Sequence, residues 1–383
     1  MTEHASAKPR TRLFYLDNLR TFLSISVIVG HAALAYGGSR DWSIQDPAVD
    51  DISPIFFGYL GGAISSCLMP AFFLLAGYFT PRSFERKGSR QFLKDRFIRL
   101  GIPIVIATTI IFNINEYMLD VYYRGVPYQI KIVYHPLHLW FLQILLLFTV
   151  IYVIFRALAD RISMKKSIQL YRDTFPPDAS LFLCIGVLAI LTFAVRLVFP
   201  TGVWFLHVQP GYFIYYTFCF CSGVLAYRGD WFRRLSKSQA RRWGVMSLGV
   251  IPLLAVIGTL EGRGSFMENA EQFSKSLAGG LHWEAFVFAV CQTFLMVGVI
   301  VFLSYFFRER LNQAGPVARF MAVNVYTVYI IHATILFPLQ ILMLSINIPT
   351  IVKFLPVALT VVFLCFLLSS LIRRIPYVRR VLG

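Results

Sequence analysis

The sequence predicts an all-α polytopic membrane protein with about ten transmembrane helices and both termini in the cytoplasm. Of the 383 residues, 57% are hydrophobic and only 14% are charged, and the mean hydropathy is +0.66. Apolar runs of about 20 residues, the length that a helix needs to cross a hydrocarbon core of about 30 Å, recur along the whole chain. The runs are continuous and lack the alternation of a membrane β-barrel, so helices are predicted throughout.

Ten spans are predicted, and short loops separate them. They cover residues 14–37, 55–80, 100–119, 139–158, 180–199, 210–227, 243–260, 282–306, 320–344 and 352–372. Residues 14–372 are therefore expected to form one membrane domain between a cytoplasmic N-terminal tail, 1–13, and a basic cytoplasmic C-terminal tail, 373–383. The first apolar stretch is too long and too charged for a cleaved signal peptide, so we expect a retained helix.

The basic residues predict the orientation of the chain. With the N-terminus inside, the inner segments hold 28 of the 36 Lys and Arg residues and the outer segments hold six. This bias is the positive-inside pattern and places both termini in the cytoplasm. The same bias explains the net charge of +17 by topology and attraction to anionic lipid, so no nucleic-acid partner is predicted.

Ionisable residues in the first span form one polar stripe. Arg20 and His31 are eleven positions apart, which is about three helical turns or roughly 16 Å, so both lie on one helix face with Asp17 and Ser24. Such a stripe faces the bundle interior or a wet cavity, with Asp17 as the ion-pair partner of Arg20. The structural alternative is that Arg20 snorkels to the interface and His31 hydrogen-bonds a nearby carbonyl.

Five motifs, in order along nearly the whole chain, resemble the acyltransferase-3 family of integral membrane acyltransferases. The first is Arg20 and His31 after "LDNLR", and the second is "MPAFFLLAGYF" (69–79), with Ala76 where the family usually has Ser. The third is "FLKDRFIRLGIP" (92–103), which supplies Arg96 and Arg99. The last two are "HLWFL" (138–142) and "YTVYIIHATIL" (326–336). Some relatives carry an SGNH-type domain after the last helix, and we expect this chain to act without one or with a separate partner.

The resemblance implies transfer of an acyl group, acetyl or succinyl, from cytoplasmic acyl-CoA to a hydroxyl of an envelope glycan or similar acceptor, in a bacterial plasma (inner) membrane. We expect His31 to be the catalytic base, because histidine titrates near neutral pH, and Arg20 to hold the reacting assembly by charge. Arg96 and Arg99 are expected to hold donor phosphates. Without the resemblance, the position of these two arginines favours a role in fixing topology. Acyl-CoA is a co-substrate, and no tightly bound cofactor or metal is predicted.

Four other polar or aromatic residues are weaker candidates for substrate or supporting roles: Glu116, Glu284, His332 and Trp140. The two glutamates could line an acceptor vestibule or lie among headgroups, and Trp140 is expected in the interfacial belt. A different class of function stays open, namely a secondary transporter or flippase that uses Asp17, Arg20 and His31 as a proton or substrate pathway. The sequence does not predict an oligomeric state.

Overall fold

The computed structural model describes residues 13–37, 42–50, 53–131, 134–161, 174–261 and 275–382. The predicted tail 1–13 therefore lies almost wholly outside the described residues. Across these ranges the chain is helical and forms no β-strand, and the one β contact is an isolated bridge between Phe205 and Val208. The all-α class predicted from the continuous apolar runs is confirmed.

We label the α-helices of the described residues α1 to α14. They are α1 Phe14–Tyr36, α2 Ser53–Ala63, α3 Met69–Arg96, α4 Ile102–Ile106, α5 Phe112–Met118, α6 Trp140–Arg161, α7 Asp178–Arg196, α8 Phe213–Arg228, α9 Trp231–Arg234, α10 Lys237–Glu261, α11 Trp283–Arg310, α12 Pro316–Leu344, α13 Thr350–Ile372 and α14 Pro376–Leu382. Short π-helical turns join α2 through α5 in series, at Ile64–Leu68, Phe97–Gly101 and Ala107–Ile111, and a fourth, Leu119–Arg124, follows α5.

Seven helical stretches of the described chain are long and apolar enough to cross a membrane. One of them, Phe56–Arg124, is 69 residues long and contains two of the predicted spans. It is broken at Gly88, where φ is 71° and ψ is 167°, a left-handed conformation that glycine adopts without a steric penalty. The structure thus supports an integral membrane protein, while the number of ten crossings stays a prediction.

The connection between the second and third predicted spans differs from the sequence prediction. Residues 81–99 were expected to form a loop, but the chain there is helical on both sides of Gly88. The physical reason is that Lys, Arg and Glu are good helix formers, so a helix continues beyond its apolar part. Hydropathy locates the membrane-crossing part of a helix, whereas helix ends depend on capping and glycine.

Residues predicted on the same side of the membrane contact one another. At the predicted inner side, the Asn18 amide donates to the carbonyl oxygens of Leu311 at 2.6 Å and Gln313 at 3.0 Å. At the predicted outer side, Lys353 pairs with Asp46. Both contacts agree with the sides that the basic-residue pattern predicts for these segments. Which side faces the cytoplasm stays a prediction.

The α3–α8 contact shows how small residues close the bundle. A Cβ atom on Gly77 would lie 2.1 Å from the carbonyl oxygen of Phe220, and one on Gly223 would lie 2.0 Å from that of Leu74. Only glycine permits this backbone approach, which is typical of packing between transmembrane helices. Helix α1 packs against α2, α11, α12 and α13, so it contacts protein along much of its length.

Candidate active site

The predicted stripe lies on one uninterrupted helix. Because α1 runs without a break from Phe14 to Tyr36, the eleven steps from Arg20 to His31 correspond to an axial distance of roughly 16 Å. The predicted ion pair is present, with Arg20 Nη2 3.4 Å from Asp17 Oδ1. The Arg20 side chain is 42% exposed, and Ser24 is buried. The stripe therefore runs from an accessible charged end to the interior.

His31 meets His332 in the interior of the bundle. His31 Nδ1 lies 3.2 Å from His332 Nε2, and the two ring centroids are 5.0 Å apart. His332 is fully buried on α12, whereas His31 is half-buried. Two histidines that are 301 residues apart in sequence thus form one hydrogen-bonded pair, and His31 is the member that keeps some exposed surface.

The hydrogen bonds assign the tautomers of this pair. His332 Nδ1 lies 2.7 Å from the carbonyl oxygen of Tyr329, which can only accept, so Nδ1 carries the proton. In a neutral imidazole the other nitrogen then accepts, so His332 Nε2 receives a hydrogen bond from His31 Nδ1–H. This leaves the lone pair of His31 on Nε2.

His138 completes a cluster of three histidines, which we call the histidine cluster: His31, His138 and His332. Its ring centroid lies 4.2 Å from that of His332 and 6.2 Å from that of His31. His138 Nε2 donates to the carbonyl oxygens of Tyr329 at 2.9 Å and Ile330 at 3.1 Å, and the Tyr329 hydroxyl donates back to the His138 carbonyl at 2.5 Å. Sequence reasoning gave His138 no role, although it opens the "HLWFL" motif.

Trp42 and Gln340 were also missed, and they hold the outer side of His31. The Trp42 ring lies 5.5 Å from the His31 ring, centroid to centroid. Its indole N–H donates to Gln340 Oε1 at 2.8 Å, and Gln340 Nε2 donates to the Ala32 carbonyl at 3.3 Å. Neither residue stands in a recognisable motif, so only the fold reveals them.

A buried ion pair fixes the segment that carries Trp42. Lys353 Nζ lies 3.0 and 2.7 Å from the two carboxylate oxygens of Asp46, and both side chains are 0% exposed. The Asp46 backbone N–H also donates to the Ala35 carbonyl of α1 at 3.2 Å. This ion pair and this hydrogen bond hold residues 42–50 against α13 and α1, next to the histidine cluster.

Arg96 and Arg99 lie at the predicted cytoplasmic side. The Arg96 guanidinium sits 5.1 Å above the Phe92 ring, and Arg99 is exposed within the π turn Phe97–Gly101. The Tyr326 hydroxyl donates to the Arg99 carbonyl, which joins this turn to α12. Tyr326 and His332 are six residues apart on α12, an axial distance of about 9 Å. The structure thus places the arginine pair and the histidine cluster along one helix.

The weaker sequence candidates have other neighbours. Glu116 forms ion pairs with Arg124, at 3.3 Å, and with Lys131, while Trp140 packs against Tyr216 with ring centroids 5.5 Å apart. Glu284 lies in the first turn of α11, where its negative charge favours the helix N-terminus. Of these candidates, only His332 belongs to the histidine cluster. In the ranges that the structure covers, no group of three or more His, Cys, Asp or Glu could hold a metal ion.

The helical bundle and its histidine cluster define an integral membrane protein with a polar site buried between its helices. A family model described as an acyltransferase domain matches residues 13–370, and the chain belongs to this acyltransferase-3 family. The family predicted from the five motifs is confirmed.

Relatives found by comparison include proteins called glucans biosynthesis protein C. Those of Escherichia coli K12, of strain O1:K1 / APEC and of strain O139:H28 are each 25% identical over 205 residues, which is 50% of this chain and 51% of theirs. The chain thus spans about half the length of these relatives. No solved structure matches it.

Proposed function

We propose that this protein is a membrane O-acyltransferase that moves an acyl group, acetyl or succinyl, from cytoplasmic acyl-CoA to a hydroxyl of an envelope glycan. Family membership supports acyl transfer as the reaction class. The name of the relatives supports a glucan as the acceptor, because hydroxyls are the nucleophiles that a glucan offers. The single observation that carries the proposal is the His31–His332 hydrogen bond, which leaves His31 Nε2 able to accept a proton.

The proposed chemistry is general-base catalysis by His31. The acceptor hydroxyl gives its proton to His31 Nε2 as its oxygen attacks the thioester carbonyl carbon, and a C–O bond forms. The C–S bond then breaks, and the CoA thiolate leaves and recovers the proton. While His31 is protonated, its Nδ1–H donates to His332 Nε2, and the Tyr329 carbonyl holds His332 in the accepting tautomer. His332 therefore stabilises the imidazolium without changing its own protonation.

The positions of the charged groups support a donor that enters from the cytoplasmic side. Arg96 and Arg99 would bind its phosphates, because guanidinium groups form charge-assisted, bidentate hydrogen bonds with phosphate oxygens. The acyl end would then extend along α12 towards the histidine cluster, over the axial distance of about 9 Å between Tyr326 and His332. The acceptor would reach the half-exposed face of His31 from the opposite side, in a bacterial inner membrane.

The proposal is tested by direct transfer. Full-length protein in lipid nanodiscs is incubated with acetyl-CoA or succinyl-CoA and a purified bacterial glucan, and the glucan is analysed by mass spectrometry. We expect one thioester to yield free CoA and a glucan that is heavier by one acyl group. If the protein in sealed vesicles moves glucan across the bilayer without covalent change and consumes neither thioester, the transporter alternative holds and this proposal is wrong.

A further inference from the structure

The C-terminal segment after α13 carries arginines beside the predicted donor site. Its sequence, "RRIPYVRRVLG", has four arginines in eleven residues, and α14 packs against the π turn that contains Arg99. Residues 92–101 and 373–382 are thus neighbours although about 280 residues separate them. From the sequence alone, residues 373–383 are predicted to form a basic cytoplasmic tail.

Two contacts fasten this segment in place. One guanidinium nitrogen of Arg373 donates to the carbonyl oxygen of Leu382 at 3.2 Å and also to that of Val323 on α12. Leu382 packs against the apolar core of the bundle. The position of α14 is therefore defined by the folded bundle.

The resulting group of guanidiniums is strongly cationic. Burial, and next the neighbouring charges of Arg379 and Arg99, lower the pKa of Arg373 below its usual value. Arg99 is in turn an electrostatic neighbour of Arg96. The neighbouring carboxylate of Asp95 pairs with Lys87 and accepts a hydrogen bond from Gln91 at 2.6 Å. Like charges gathered in this way repel one another, so the arrangement favours an anion with several charged oxygens.

We propose that Arg373 and Arg379 form the second wall of the donor site and bind, together with Arg96 and Arg99, the phosphates of acyl-CoA. This inference rests on the proposed function, since it concerns the donor of that reaction. The pyrophosphate and the 3′-phosphate of CoA carry more charge than one arginine pair can balance. A second arginine pair from a different chain segment supplies the remaining donors. Phospholipid headgroups offer the same phosphate chemistry, and the test below separates the two sources.

The test is CoA binding to full-length variants in nanodiscs of neutral lipid, measured by isothermal titration calorimetry. Arg379 is exposed, so Arg379→Gln keeps the fold and should weaken CoA binding roughly tenfold or more, the usual effect of losing a hydrogen bond to a charged group. Arg373→Lys should weaken it as well, because lysine loses the planar fork. Arg380→Gln is the matched control, since it removes one exposed charge from the same helix and should bind CoA as the wild type does.

The outcomes separate this inference from the proposed function. If the wild type binds CoA and Arg379→Gln binds it equally well, the second wall does not exist, although the donor assignment stands. If the wild type binds no CoA, the donor assignment of the proposed function itself fails. If Arg379→Gln keeps its CoA affinity but loses anionic phospholipid that copurifies with the wild type, as counted by native mass spectrometry, the cluster is a lipid site and the inference is overturned.

Discussion

At the residue scale, the proposed catalysis by His31 depends on which nitrogen of each histidine carries a proton. The sequence identified His31 and His332 separately, from their helical positions and motifs. It could not pair them, because the pairing depends on how α1 packs against α12. The Tyr329 carbonyl accepts from His332 Nδ1–H and so fixes the tautomer of His332. Because Nε2 of that tautomer accepts from His31 Nδ1–H, it also fixes the tautomer of His31. Backbone partners of this kind cannot be predicted from residue types.

Replacing His332 separates its role from that of His31. His332→Phe keeps a ring of similar size but removes the acceptor for His31 Nδ1–H. A hydrogen bond to a charged group contributes about 1.5–3 kcal/mol, so we expect kcat to fall roughly 10- to 150-fold. The measurement is the rate of CoA release at saturating donor and acceptor, with folding checked by thermal unfolding. A loss that equals or exceeds that of His31→Ala would show that His332 is itself the base.

Arg20 should contribute more to activity than to stability. Its ion pair with Asp17 is 3.4 Å long and its side chain is 42% exposed. Exposed pairs contribute about 0–1 kcal/mol, so Arg20→Ala should lower the free energy of unfolding by less than about 1 kcal/mol. Loss of acyl transfer in Arg20→Ala, with partial recovery in Arg20→Lys, would indicate contact with substrate. Unfolding of Arg20→Ala in detergent at markedly lower temperature would instead make the arginine structural.

At the element scale, the site combines a segment whose role the sequence predicts, the polar stripe of α1, with a segment whose role it does not predict, residues 42–50. The polar stripe of α1 was predicted in full, because helical periodicity alone places Asp17, Arg20 and His31 on one face. The segment 42–50 received no role, because Trp42 and Asp46 show no periodic pattern. Its position is defined by the ion pair of Asp46 with Lys353, whose side chain is 0% exposed.

The Asp46–Lys353 pair should behave as a buried ion pair. Lys353→Met leaves the Asp46 carboxylate buried without its cation, which typically costs about 3–5 kcal/mol of unfolding free energy. The double variant Asp46→Asn, Lys353→Met removes both charges and retains an acceptor for the Ala48 N–H, so it should recover most of that stability. Thermal unfolding in one detergent compares the three proteins. Equal losses in the single and double variants would rule out the uncompensated charge as the cause.

At the scale of the whole molecule, hydropathy predicted the fold class and the approximate position of each apolar helix. It did not predict that the chain stays helical around Gly88, nor that the basic C-terminal segment packs beside Arg99. Both depend on polar residues, whose positions in a membrane protein are set by contacts that composition does not encode. Of the two predicted tails, the structure describes the C-terminal one, and this segment packs against the bundle.

The predicted orientation can be measured along the chain. The asymmetry of 28 inner against six outer basic residues predicts that residues 90 and 235 face the cytoplasm. Cysteine introduced in a cysteine-free background at residue 90 and at residue 236, the exposed neighbour of the buried Leu235, should therefore resist a membrane-impermeant thiol reagent in intact cells and react after lysis. Cysteine at residue 204, in a predicted outer loop, is the matched control and should react in intact cells. Labelling of residue 90 or 236 in intact cells would contradict the predicted topology.

The most direct measurement of the central claim is the acyl-transfer rate of His31→Ala. Removal of a general base typically lowers the rate by about 10²–10⁴-fold. We therefore expect that loss in kcat for purified, folded His31→Ala at saturating acyl-CoA, with CoA affinity unchanged and a lower unfolding temperature, because the buried His332 Nε2 loses its donor. His282→Ala, which removes an exposed histidine just before α11, should transfer at the wild-type rate. Transfer by His31→Ala at the wild-type rate would contradict the account and make His332 the next candidate for the base.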